Sequence, residues 1–282
     1  MAVLEFDKTG ERLFETGVKK GVLYVYDSSK TGSGQHPYSP GVAWNGLTGV
    51  TESPSGAEAT KLYADDINYL NLYSAEELGA TVNAYTYPDE FGVCDGSEAI
   101  EILAPAYASS GKAYAKDEVC SYQGSNYKAK VAIEAPAGDW DSTKWEVTSL
   151  AAPINIGQQT RKTFGLCYRT ALGNDTDGQD HGYKLHLLYG CKASPSERSY
   201  ETINDSPSAI TFSWTLTTTP IACQINGVTY KNTAILTVDS TKCTAAGLAA
   251  LEGALYGTSE SDPYLPLPSE VFELLSGVSG NG

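Results

Sequence analysis

The chain has 282 residues, of which 41% are hydrophobic, 10% aromatic and 19% charged, so it carries enough apolar matter for a core and is not a disordered chain. Thirty-four acidic against 19 basic residues give a net charge of −15, which repels nucleic-acid phosphates and anionic lipid and argues against a nucleic-acid-binding role. Nineteen Tyr, 28 Gly and abundant Thr predict a mainly β protein, because β-branched and aromatic side chains suit a pleated surface and glycine suits turns.

In chain order, the first 17 residues mix acidic and apolar side chains and lack the pattern of an export signal, and no apolar run reaches the roughly 20 residues that cross a bilayer. A soluble protein made in a cytosol is expected. The N-terminal 20 residues and the loop from Lys30 to Gly41 are expected to be polymerisation segments that stay disordered before assembly. Gly32-Ser33-Gly34 lacks a downstream Gly-Lys-Ser/Thr and predicts a flexible loop rather than a phosphate cradle. Period-two alternation predicts strands over 80–87, 163–171, 183–190, 209–217 and 233–238, separated by turn clusters after residue 87, at 173–182 and at 204–208. The fourth of these is the clearest, with Ile210, Phe212, Trp214 and Leu216 against Thr211, Ser213, Thr215 and Thr217; that hydroxyl face is either luminal or simply solvated. One amphipathic helix is predicted over 244–256, with Leu248, Leu251 and Leu255 on one face and Gly257 as its stop; a second, shorter one is predicted over 270–275 behind a capping Ser269. Many strands with one packed helix make a β sandwich or barrel.

Residues 104–153 stand apart as an inserted module, leaving 1–103 and 154–282 as one discontinuous domain. The insert begins with Ala104-Pro105 and closes with Pro153, holds two Trp and four Tyr, and is nearly charge-balanced, with 5 Lys and 6 Asp plus Glu. Fifty residues are expected not to bury all six rings, which leaves an exposed flat ring of the kind that suits a pyranose face. Trp140 is the expected platform, while Trp145 alternates like a core strand residue. The competing reading packs every ring into the mini-core.

Constellations for chemistry are lacking. The three histidines, His36, His181 and His186, read as loop and strand residues, and the acidic loop 174–180 fails the calcium-loop pattern because Lys184 falls where the twelfth-position glutamate is required. Cys94, Cys120, Cys167, Cys191, Cys223 and Cys243 are too sparse for a disulfide framework and read as reduced, mostly buried small hydrophobes. No catalytic residue, metal site or cofactor is expected.

Two resemblances add to this reading. Gly-Val-Ala-Trp-Asn-Gly-Leu-Thr at 41–48, residues 52–58, Leu-Tyr-Ala-Asp at 62–65, residues 84–91, 157–170, 181–187 and 204–214 together resemble the major tail tube protein of long-tailed bacteriophages. That resemblance implies a β sandwich or barrel with a packed helix, no enzymatic activity, and homohexameric rings stacked into a tube. DNA would pass through the lumen without specific binding. It further implies a virion tail location after assembly in the host cytoplasm, and tape measure, tail terminator and baseplate proteins as partners, with no membrane. The insert, at 114–130 and 139–147, is similar to small chitin-binding type carbohydrate modules, although Asp117-Glu118 stands where that family has Gly-Asp and Tyr107 is the nearest substitute for its leading Trp. This second resemblance implies an outward-facing array that binds host surface polysaccharide through Trp140, Tyr122 and Tyr127. The alternatives are a glycan-binding adhesin outside any virion and a tail tube subunit whose insert is purely decorative.

Overall fold

The computed structural model describes residues 4–30, 36–203, 205 and 208–277. Six strands come first: β1 (Phe14–Val25), β2 (Val42–Trp44), β3 (Leu47–Ser55), β4 (Ala59–Ala64), β5 (Ile67–Tyr73) and β6 (Glu77–Ala84). Five short ones follow, β7 (Glu98–Ile100), β8 (Val119–Tyr122), β9 (Ser125–Ala129), β10 (Trp145–Val147) and β11 (Ile154–Ile156). The rest of the chain carries β12 (Phe164–Asn174), β13 (Gly178–Ala193), β14 (Phe212–Thr218), β15 (Ile221–Ile225), β16 (Val228–Thr233), β17 (Ile235–Asp239), α1 (Ala245–Tyr256) and α2 (Pro268–Ser276). The protein is mainly β. The Gly32-Ser33-Gly34 segment, residues 1–3 of the N-terminal arm, and residues 204, 206 and 207 of the turn ahead of β14 lie outside the described residues.

The chain divides into two compact units, Met1–Gly96 with Arg161–Gly282, and Ser97–Thr160. The second is wider than the insert expected at 104–153 because extended segments on either side of it pair with each other. Ile154 lies opposite Ile100 and Ile156 opposite Glu98, forming a two-stranded stem that the Pro-marked edges do not announce.

The first unit is built on an eight-stranded antiparallel sheet in the order β2-β1-β12-β13-β14-β6-β3, with β17 also on β13. Its two terminal strands, β2 and β3, are joined by only Asn45 and Gly46, so the sheet closes on itself toward a barrel; Gly46 supplies the left-handed φ of 77° that this bend needs. The inner face is filled by Leu23, Trp44, Val82, Phe91, Phe164, Leu166, Leu188, Trp214 and Leu216, all buried. Central strands β12 and β13 are buried on both faces, which is why they read as continuous apolar runs at 164–168 and 187–191. Their outer face, through Cys167, Leu185, Leu187 and Tyr189, packs under the helices with Leu251, Leu255, Leu265 and Val271. Tyr24 donates to the Leu255 carbonyl at 2.6 Å and Tyr189 to the Pro266 carbonyl at 2.8 Å, so the apolar contact is pinned by two buried phenols.

The predicted strands 80–87, 163–171, 183–190 and 233–238 are found, shifted or lengthened as β6, β12, β13 and β17. In β14, Trp214 and Leu216 are buried while Ser213, Thr215 and Thr217 are exposed, as the alternation predicts; residues 209–211 fall short of the ladder. Helix α1 begins at its Thr244 cap, whose hydroxyl accepts from the Gly247 amide at 3.1 Å, and ends at Gly257 with φ 77°. Two expectations need correction. Ser269 does not cap the second helix: Leu267 is its N-cap and Pro268 its first residue, since proline at that position is already locked at a helical φ and has no amide to satisfy. Nor is the N-terminal segment through residue 20 unstructured, because residues 14–20 belong to β1, where Phe14, Glu15 and Thr16 lie opposite Gly173, Leu172 and Ala171.

Strand β13 changes neighbours partway, pairing with β17 through Lys184–Leu188 and with β14 through Cys191–Ala193. Gly190 sits at this switch with φ 60°, and a Cβ there would meet the Thr219 carbonyl oxygen at 2.2 Å. Left-handed strain and the forced backbone shift together make Gly190→Ala destabilising by roughly 3 kcal/mol. Urea unfolding checks this; a loss below about 1 kcal/mol would show that the switch does not require glycine.

Candidate functional site

The insert's rings form one cluster. Strands β8, β9 and β10 make a three-stranded sheet with Trp145 opposite Ala129 and Cys120 opposite Tyr127. Tyr114, Cys120, Ala129, Ile133 and Trp145 are buried at its centre, with Tyr107, Tyr127 and Trp140 packed around them. Asp141 accepts from the Thr143 amide and hydroxyl at 3.1 and 2.6 Å, fixing a single 3₁₀ turn over Ser142–Lys144. That turn brings Trp140 and Trp145 into a stack 5.2 Å apart and 15° from parallel.

Trp140 is therefore not the free flat platform expected of it. Tyr122 stacks on it at 4.1 Å and 7°, and Tyr107 and Tyr127 meet it edge-on at 5.1 and 4.8 Å. Trp140, Tyr122 and Tyr127 are all half-buried, and none of the six rings is exposed. Counting rings against residues misses that rings also bury one another, each such pair adding about 0.5–1.5 kcal/mol beyond its area. Trp145 is a buried strand residue, as its alternation predicts. Tyr107 touches Tyr114, Tyr122, Trp140 and Trp145. A clasp that sequence reasoning missed closes the unit below the cluster. Buried Asn126 accepts from the Ala104 amide at 2.8 Å and donates to the Ile102 carbonyl at 2.9 Å. Beside it, hydrogen bonds from the Ser149 hydroxyl and the Leu150 amide hold the Glu101 carboxyl below its usual range.

The second feature is the β4–β5 ribbon, in which every residue is exposed. Leu62 faces Leu70, Thr60 faces Leu72 and Ala64 faces Ile67, so one side of the ribbon is aliphatic. Leu62, Ile67, Leu70 and Leu72 are 41–63% exposed. The opposite side carries Tyr63, Tyr73, Lys61, Asn68 and Asn71, with Tyr69 at the bulge. An aliphatic face of this kind, with no cover among the described residues, marks an interaction surface. The alternation of Leu70, Leu72 with Asn71, Tyr73 was the available sequence signal.

The third feature lies where β1 and β3 approach without pairing. His186 is buried with its Nε2 3.3 Å from Glu15 and its Nδ1 3.2 Å from Glu52. The Tyr168 ring stacks on it at 4.7 Å and 5°, and the Tyr168 hydroxyl donates to Glu52. Lys184 and Thr170 donate to Glu15, each at 2.6 Å. Two carboxylates, an imidazole, a phenol and an ammonium could serve proton transfer, but here they partner one another and tie β1 to β3 across the unpaired seam. Partial burial works to raise the Glu15 carboxyl, yet hydrogen bonds from Lys184 and Thr170 and the Lys184 and His186 charges outweigh it and hold it below its ordinary 4.5. A carboxyl depressed in the folded state stabilises above its unfolded pKa and loses that contribution as pH falls through its folded one. Lys184→Met is thus expected to lower stability at neutral pH and to flatten its acid dependence below about pH 4.5, read as Tm against pH. An unchanged profile would remove Lys184 from the seam.

Elsewhere, His36 stacks on Tyr264 at 3.8 Å and His181 meets Asp177 at 3.0 Å, a loop residue and a turn residue. The 174–180 loop is an Asx-type turn in which the Asn174 side chain accepts from the Thr176 and Asp177 amides. All six cysteines are unpaired and five are buried; burial pushes Cys94, Cys167 and Cys191 up to about 12, where a thiol stays protonated. Among the described residues no helix is long and apolar enough to cross a membrane. Set against known proteins, the chain matches no family model and no curated sequence.

Proposed function

We propose that the chain is a structural subunit that closes side to side into hexameric rings, stacked as a phage-type tail tube through which DNA passes. The observation that carries this reading is the β4–β5 ribbon, whose aliphatic face needs another molecule to cover it. A net charge of −15 supports a conduit, since acidic and hydroxyl-rich walls repel phosphate and let DNA slide. Negative-stain imaging of the purified full-length protein across a concentration series tests the proposal. Rings or tubes are expected, and a single compact particle at every concentration overturns it.

For the insert, the closed aromatic cluster favours a module that stiffens or shields the wall over one that offers a sugar platform. Glycan contact would have to use the outer edges of Trp140, Tyr122 and Tyr127. Passing the assembled protein over immobilised chitin-like and cell-wall polysaccharide separates the two readings, because an array would turn even weak contacts into retention by avidity. Retention abolished by Tyr122→Ala would favour host-surface binding.

A further inference from the structure

The turn at the end of the ribbon lacks the glycine usual for its geometry. Two-residue hairpin turns of type I′ need positive φ at both positions and favour glycine at the second. This chain follows that rule twice, with Gln123-Gly124 between β8 and β9 at 48° and 82°, and Asn226-Gly227 between β15 and β16 at 50° and 75°. Between β4 and β5 the pair is Asp65-Asp66, held at 50° and 60°. Two adjacent carboxylates repel each other, and Asp66 holds a backbone that glycine would adopt without strain. Both residues are exposed, so the fold of the subunit gains nothing visible from them. Strain kept at an exposed tip points to a use outside the subunit.

A cleft of about 580 Å³ elsewhere on the same unit has complementary chemistry. Its walls include Trp44, Leu47, Leu255 and Pro263, and Lys19 and Lys20 stand at its side. Both lysines are exposed and neither enters an ion pair among the described residues; Lys20 Nζ lies 5.0 Å above the Tyr256 ring. They sit where β1 is bulged, with register shifts on both sides of Lys19. On that edge β2 covers only Gly21–Leu23. In a chain with so few cations, an adjacent lysine pair beside an apolar cleft and an open strand edge suits an acidic, apolar hairpin tip.

We propose that the Asp65-Asp66 tip of one copy seats in the Lys19-Lys20 cleft of a second copy. The aspartates form charge-assisted hydrogen bonds to the two ammonium groups, and Ile67 enters the apolar part of the cleft. A six-residue strand reaches about 20 Å, enough to carry the tip to a neighbouring subunit. The inference rests on the assembly reading above, and it names the contact that sets the register between copies.

The test uses full-length protein and the critical concentration for assembly. Changing the tip to the relaxed turn, Asp65→Asn with Asp66→Gly, keeps or improves the ribbon while removing both charges, so a purely structural role predicts assembly at least as good as the unaltered chain. Docking predicts a critical concentration raised about tenfold or more, and a similar rise for Lys19→Ser with Lys20→Ser. It also predicts that combining the two pairs costs no more than either alone, since each removes the same contact. Assembly undiminished by the Asn-Gly tip, or losses that add, would overturn the docking while leaving ring formation intact. An unaltered chain that never assembles would overturn the assembly reading itself, and the docking with it.

Discussion

With Leu62→Ser, Ile67→Ser, Leu70→Ser and Leu72→Ser combined, the protein is expected to fold normally and to stay monomeric at concentrations where the proposed assembly would form rings from the unaltered chain. The four side chains are already 41–63% exposed, so the isolated subunit loses little by their removal. In an assembly each would surrender its remaining exposed area, worth about 1 kcal/mol apiece when half a side chain is buried. Four such losses come to about 4 kcal/mol per contact, or roughly a thousandfold in affinity. Because a ring needs every one of its contacts, the effect on tubes approaches all or none. Sedimentation velocity with thermal melts reads both halves of the expectation. Tubes at unaltered concentrations would show that the aliphatic face is not the interface, and a lowered Tm would show that it packs within its own subunit.

That ribbon was the part of the molecule least visible in the residue pattern, and the reasons are physical. Where one face of a strand meets the core and the other meets water, alternation is forced, and so β14 reads cleanly from Trp214 and Leu216 against Ser213, Thr215 and Thr217. Where both faces are covered, as in β12 and β13, the run is simply apolar, and α1 announces itself through Thr244 and Gly257. Residues 59–73 lack the glycine that marks a tight turn, because Asp65-Asp66 occupies it. Strand β1 is hidden for a different reason: bulges between Thr16 and Lys19 and between Lys19 and Val22 break its period, and its polar first half resembles a loop. The seam around His186 draws Glu15, Glu52, Tyr168 and Lys184 from four strands, and no local window contains more than two of them.

The aromatic cluster was legible as a composition but not as a geometry, and the difference has a measurable consequence. Trp145 is 3% exposed and contacts Tyr107, Tyr114 and Trp140. Replacing a buried tryptophan by alanine costs about 3–5 kcal/mol through lost transfer and the cavity left behind. The unit it belongs to spans residues 97–160, and a domain of that size holds only about 3–10 kcal/mol in total. Trp145→Ala is therefore expected to unfold this unit at or near room temperature, opening sites between 97 and 160 to limited proteolysis. The rest of the chain should keep its own melting transition, because its core is assembled from β1–β3, β6, β12–β14 and the helices without any residue of the insert. Trp140→Ala, which removes a half-buried ring, should cost about 1–2 kcal/mol and leave the unit folded. If Trp145→Ala instead melts the whole chain in one step, the two units share their stability and the insert is not a separable module. If Trp140→Ala proves as damaging as Trp145→Ala, the ring stack rather than the buried centre holds the module together, and a sugar could reach it only by taking the stack apart.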